Sequence, residues 1–437
     1  MNEYAFPADL AEQVIGRWQT FVSRHDSPAP PLPPAPALQH VLETAFFASF
    51  LREEGRDLRF VLCCSTGLEV RRDGLVEHVP VMPLAVPRPL SIESIRALAP
   101  AVSPDNAAML VRFSDGTDGA PPEIAGILHV GADLARARRG RSFYHRPAPY
   151  ALVIDVRDAG ELHIYRGGIK LASMRAGRLH DQIAFSSLEL MPISDILAGG
   201  EQALRPRVVA PTQELPRDTS DFEWTALLNT ILCIVNGVRE LNHGGTVLLV
   251  APGAEASLPV RPKFGLDERA GLLSDRFVDF LNTRHALVSE RWRREHDATA
   301  PADIPVVPWE TAAFAAEDDL ADAADLVAAL SAVDGAVILR SDLRVLSFGA
   351  EIVLDAAMPV TAYEASGGIR RSADWPTVDS ESFGMRHRSA LRCVAVAEHT
   401  AAFVVSQDGT TTFCWKQGGR VVLKRNVNTA NPNMVGA

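Results

Sequence analysis

The stretch PRVVAPTQELPRDTS, residues 206–220, limits how this chain can fold more than any other feature. Prolines remove backbone donors and fix φ, and Thr, Ser and Asp compete for backbone hydrogen bonds, so such a run suits neither a helix interior nor a central strand. Linkers concentrate these residues, which places a domain boundary here and predicts an N-terminal domain over 1–210 and a second over 220–437. At 437 residues, 47% hydrophobic and 22% charged, the chain is long enough and apolar enough for both to bury a core.

Before the connector, residues 1–26 read as helix. SPAPPLPPAP, 27–36, reads as an extended segment. ALQHVLETAFFASFLREEGRDL, 37–58, repeats apolar residues at helical spacing and predicts a helix that closes on Glu53-Glu54-Gly55-Arg56, with Gly55 as C-cap. RFVLCCS, 59–65, reads as a buried strand, and 149–190 alternates like a β-meander with Gly-containing turns. After the connector, 221–241 predicts a helix with Trp224, Leu227, Leu228, Ile231, Val235 and Val238 on one face. TVLLVAPG follows Gly244-Gly245 and reads as a central strand. A charged helical pattern covers 266–297, and prolines interrupt 298–309. A helix over 317–333 leads into the strand pair DGAVILR and LRVLSFGAEIVL. SALRCVAVAEHT, 389–400, predicts a helix, AAFVVS a strand, and Gln407-Asp408-Gly409 a hairpin turn. This order predicts an α/β fold: a C-terminal mixed sheet flanked by helices, preceded by an α+β domain.

Net charge is -11, which argues against non-specific nucleic-acid binding. Five cysteines show no Cys-x-x-Cys spacing, which fits a reduced compartment better than disulfides or zinc. The N-terminus lacks a basic region followed by an apolar one, and no apolar run is long enough to span a bilayer, so the expectation is a cytoplasmic protein without membrane partners. GxGxxG, Walker A, GxSxG and HExxH sequences are absent, which weakens dehydrogenase, P-loop and α/β-hydrolase readings.

Three places carry chemistry. FGMRHRSAL, 383–391, puts Arg386, His387, Arg388 and Ser389 just where the expected helix begins. Free N–H groups and the macrodipole there favour phosphate, and arginines bind phosphate bidentately. A neutral His387 could ligate a metal. The same arginines could instead neutralise Asp379 and Glu381. Asp334-Gly335-Ala336 puts a carboxylate at a strand edge with little side chain beside it, although Asp-Gly also suits a plain turn. Glu398, in an apolar context near a helix end, needs a partner, either a metal or Arg392 or His399. The basic run Arg136–Arg141 with His145 and Arg146 reads as a solvated loop more readily than as an anion patch.

Taken together, DGAVILR and GMRHRSA, followed by a helix and VVSQ, resemble the diadenylate cyclase superfamily, the DisA N-terminal type of domain, over about 220–430. The resemblance implies that Asp334 serves a metal and the attacking ribose hydroxyl, with Gly335 and Ala336 shaping a nucleotide pocket. It implies phosphate contacts from Arg386, His387, Arg388, Ser389 and Ser406, and a metal, Mg²⁺ or Mn²⁺, near Asp334, His387 and Glu398. Two features depart from that family. Met385 stands where a hydroxyl residue is usual, and the segment between the motifs is long and contains SGGIRRSADW, 366–375. The N-terminal half, with its EEGR segment and strand-rich 150–180 region, resembles the DACNV-type sensor-domain proteins. The expected function is therefore a sensor that binds ATP, another purine nucleotide or a cyclic dinucleotide. The alternative is an active cyclase that makes cyclic di-AMP from two ATP, a reaction that needs a homo-oligomer with facing sites.

Overall fold

The computed structural model describes residues 4–18, 29–53, 55–72, 78–114, 120–131, 149–166, 169–175, 177–180, 193–209, 219–241, 243–267, 271–296, 307–355, 358–365, 375–407 and 409–427. Two compact units result: Met1–Ile183 with Met434–Ala437, and Ala184–Asn433. The expected boundary at 210–220 thus falls inside the second unit. Among the described residues, no helix is long and apolar enough to cross a membrane.

The first unit holds α1 (Pro7–Trp18), α2 (Ala35–Ala48), a hairpin of β1 (Arg52–Glu53) and β2 (Arg56–Asp57), β3 (Phe60–Ser65), β4 (Val81–Pro89), α3 (Ile92–Leu98), β5 (Ala107–Arg112), β6 (Glu123–His129), β7 (Leu152–Asp158), β8 (Glu161–Arg166), β9 (Ile169–Arg175) and β10 (Arg178–His180). Strands β3 to β10 form one sheet in the order β10-β9-β8-β7-β3-β5-β6-β4. It is mixed: β3 and β5 pair parallel and β3 and β7 antiparallel. The meander expected over 149–190 is β7 to β10. Leu10, Val14 and Trp18 of α1 and Leu38, Val41 and Leu42 of α2 pack in one core with Phe60, Leu62, Ile154 and Ile164. Val61, Cys63, Leu110 and Val153, at the alternate positions, belong to a second core.

Helix α2 is shorter than its apolar spacing predicts. It stops at Ala48, where the Ser49 hydroxyl donates to Phe46 O and accepts from Gly160 N at 2.8 Å. The chain then turns into the β1–β2 hairpin, and Gly55 lies in that turn instead of capping a helix.

The second unit holds α4 (Ser194–Leu204), α5 (Thr219–Glu240), β11 (Gly245–Val250), β12 (Val260–Arg261), β13 (Phe264–Gly265), α6 (Leu272–His296), α7 (Val307–Ala329), β14 (Ala336–Arg340), β15 (Val345–Ile352), β16 (Thr361–Glu364), β17 (Thr377–Asp379), α8 (Met385–Val396), β18 (Thr400–Val405), β19 (Thr411–Gln417) and β20 (Arg420–Lys424). The sheet order is β12-β15-β14-β11-β18-β19-β20-β16-β17, with β13 also on β15. Pairs β11–β14 and β16–β20 are parallel, so this sheet is mixed too. Every residue of β11 is buried, as a near-continuous apolar run at the sheet centre predicts.

Three helices differ from their sequence reading. α5 is buried on all sides from Ala226 to Asn236, because it packs against α4, α7 and the sheet. α7 begins ten residues before its expected start, with Pro308 in its first turn, where the missing N–H has no helical partner to lose. α8 begins at Met385 instead of Ser389. Gly384 is its N-cap, and Arg388 N donates to Gly384 O at 3.2 Å.

α4 is tied to the turn between β14 and β15. Ser341 Oγ donates to Ile196 O at 2.6 Å, and a Cβ added at Gly200 would lie 2.2 Å from Ser341 O. Gly200→Ala therefore forces backbone apart, and the unfolding free energy measured by urea denaturation is expected to fall by roughly 1–3 kcal/mol, the usual cost of overpacking.

Candidate functional site

Strand register brings distant segments to one end of the second sheet. β11 and β14 run parallel, with Thr246 opposite Ala336, so the residues before each strand lie side by side. β18 runs antiparallel to β11, with Gly245 opposite Val405, so the residues after β18 arrive at the same edge. His243-Gly244, Asp334-Gly335 and Ser406-Gln407 therefore meet, and the first turn of α8 adds Arg386. A cavity of about 260 Å³ is lined by His243, Gly244, Asp334, Gly335, Arg386 and Gln407 among others.

Two glycines make this convergence possible. Gly335 has φ +123°, and a Cβ there would lie 2.4 Å from the carbonyl carbon of Gly349 on β15. Gly244 has φ +64°, and its Cβ would lie 2.7 Å from Val405 O and 3.0 Å from Arg386 Nη1. Any side chain at either position would push the strand ends, or Arg386, away.

The polar groups in the cavity are sparsely committed. The Asp334 carboxylate is exposed and, among the described residues, accepts no hydrogen bond and joins no ion pair. Its main-chain oxygen accepts from Lys263 Nζ at 3.0 Å. Arg386 is exposed too, and among the described residues the one hydrogen bond of its side chain is from Nη1 to His243 O at 3.3 Å. An exposed arginine at a cavity can take a phosphate oxygen, and the carboxylate beside it suits a phosphate group only with a divalent ion between them.

Of the expected site residues, Asp334, Gly335 and Arg386 come together at this cavity. Ala336 is buried in β14 just behind it. The rest are used elsewhere, because Arg386, His387 and Arg388 lie within the helix and point about 100° apart. Arg388 Nη1 pairs with Glu381 Oε2 at 2.8 Å, and Arg392 Nη2 takes the other carboxylate oxygen at 2.9 Å. That is the local-acid arrangement, realised for Arg388. Asp379 instead accepts from Glu381 N at 2.9 Å. The His387 ring stacks on Phe383 with centroids 5.5 Å apart, and its Nε2 shares a 3.0 Å hydrogen bond with Thr412 Oγ1. Ser389 is half-buried in α8 and does not line the cavity. Ser406 N donates to Thr410 O at 2.9 Å within the hairpin turn, one residue before Gln407.

Glu398 is a correction. It lies beyond the end of α8, its side chain is 67% exposed, and Lys416 Nζ bonds it. That hydrogen bond holds its carboxyl below the ordinary range. No buried carboxylate there asks for a metal. Among the described residues, no group of three or more His, Cys, Asp and Glu side chains converges to hold an ion. Mg²⁺ is commonly held by one or two carboxylates together with phosphates and waters. Asp334 fits that role for an ion arriving with a phosphate ligand; His387 and Glu398 are engaged as described. Burial pushes the thiols of Cys63, Cys393 and Cys414 up to about 12, which keeps these three neutral.

His243, Gly244 and Gln407, which line the cavity, escaped the sequence reading of the site. Gly244 and Gln407 looked like turn residues. The signal that could have singled them out is adjacency to strands that neighbour the DGA strand, and that order is not visible before the sheet is assembled. Arg136–Arg141, His145, Arg146 and residues 366–374 lie outside the described residues.

A family model described as "Probable sensor domain DACNV" matches residues 27–129, which include α2 through β6 of the first unit. The 150–180 strands lie outside that match. No curated protein and no solved structure matches the chain.

Gly335→Ala is expected to cost roughly 1–3 kcal/mol, since a side chain must enter a left-handed backbone conformation against another strand. Chemical denaturation measures it. A loss under about 0.5 kcal/mol, the range of an unconstrained surface change, would contradict the close packing of β14 on β15.

Proposed function

We propose that this protein is a sensor whose second unit binds a nucleotide or a nucleotide-derived messenger through its phosphates. One observation carries the reading: the DGA and RHR segments, far apart in sequence, contribute Asp334, Gly335 and Arg386 to a single cavity where, among the described residues, neither charge has an ionic partner. Arg386 would take a phosphate oxygen as a charge-assisted hydrogen bond. Asp334 would ligate Mg²⁺ or Mn²⁺ carried by the phosphates, and the ion would offset their charge. The resemblance to the diadenylate cyclase superfamily supplies the nucleotide part of this reading. The family match over 27–129 supports the sensor part.

Recognition is favoured over turnover by particular side chains. Met385, 76% exposed, offers no hydroxyl where the cyclases usually have one. Arg388 is committed to Glu381 and Arg392's neighbourhood instead of the cavity.

Calorimetry on the full chain with ATP or cyclic di-AMP, in Mg²⁺ or Mn²⁺, tests the reading, with mass spectrometry of the mixture. Micromolar or tighter binding without new cyclic dinucleotide is expected. Arg386→Ala should weaken binding by roughly 1–3 kcal/mol, as for a lost charge-assisted hydrogen bond. Cyclic di-AMP formed from ATP and abolished in Asp334→Asn would replace the sensor reading with the cyclase one. If the wild type binds neither compound, both readings fall.

A further inference from the structure

Lys263 belongs to neither sequence motif, yet the fold brings its ammonium to the main-chain oxygen of Asp334. It lies in the two-residue break between β12 and β13, after Pro262. Both flanking strands pair with β15: Val260 with Ile352 and Arg261 with Glu351 on one side, Phe264 with Phe348 and Gly265 with Ser347 on the other. Phe264 stacks on Phe348, with centroids 4.9 Å apart and planes 19° apart, and Arg261 forms an ion pair with Glu351. A break held at both ends places its side chains reproducibly. The Lys263 Cβ lies 3.5 Å from where a Cβ on Gly349 would be, an ordinary contact distance that puts the lysine stem beside β15. From there Nζ reaches Asp334 O at 3.0 Å.

That hydrogen bond uses one of three ammonium donors. Lys263 is exposed and, among the described residues, forms no ion pair. A phosphate oxygen within reach would be a stronger, charge-assisted partner than a neutral carbonyl. Lys263 does not line the cavity itself but is bonded to the main chain of Asp334, which does. The geometry points to Lys263 as a second anion-binding residue beside this cavity, contacting a phosphate group other than the one held by Arg386. The inference rests on the proposed nucleotide reading and sharpens it: two cations from separate elements call for a ligand with more than one phosphate group.

The test uses the full-length chain and whichever of ATP and cyclic di-AMP the wild type binds more tightly. Lys263→Met keeps an apolar stem without charge and should raise Kd about tenfold, a factor within the range of one charge-assisted hydrogen bond. Lys263→Arg should recover most of that loss. The dependence of Kd on salt should be shallower in Lys263→Met than in wild type, since one ionic contact is gone. A residue that only steadies the Asp334 turn would not change the salt dependence, and its loss would appear in the thermal midpoint. Wild-type affinity in Lys263→Met, or an unchanged salt dependence, overturns the inference. If Arg386→Ala weakens binding while Lys263→Met does not, this inference falls and the proposed function stands. If the wild type binds neither compound, both fall.

Discussion

Parallel pairing of β11 with β14, Thr246 opposite Ala336, is the constraint on which the second unit's cavity depends. Side chains before two parallel strands share one sheet edge, as the residues before antiparallel neighbours do not. His243-Gly244 and Asp334-Gly335 therefore become neighbours although α6 and α7 separate them along the chain. β18, antiparallel on the other side of β11, adds Gln407 to the same edge. The pairing tolerates this crowding only because Gly244 and Gly335 present no Cβ toward Val405 and Gly349.

α8 then decides which charges face the cavity. Its start at Gly384 puts Arg386, His387 and Arg388 within the first helical turn, where successive side chains diverge. One faces the cavity, one packs on Phe383 and Thr412, and one joins Arg392 on Glu381. A motif that looks like a three-residue phosphate clamp is thus one cavity arginine and two side chains that fasten the helix start to the unit. This division makes Arg386 the informative position.

The fold class was legible because hydrophobic period and turn chemistry are local. The β7–β10 meander, buried β11, the β14–β15 pair and the helix–strand alternation all follow from alternation, apolar runs and Gly-containing turns. Helix limits were less legible, for local physical reasons. α2 ends at Ser49 because that hydroxyl binds Phe46 and Gly160, and the second bond spans 111 residues. α7 runs through Pro308 because a proline in a first turn costs no hydrogen bond. Glu398 looked buried from its apolar neighbours, but α8 ends at Val396 and leaves it in solvent beside Lys416.

The sequence by itself determined the mixed α/β class, most of the strands and the residue types able to meet a phosphate, since these depend on periodicity, turn propensity and charge. Tertiary structure decided which of those residues share a space. Strand order put Asp334 and Arg386 at one cavity and added His243 and Gln407, and helix phase removed His387 and Arg388 from it. The reason is that register and helical rotation are set by long-range pairing and packing, and no short window of sequence contains those interactions.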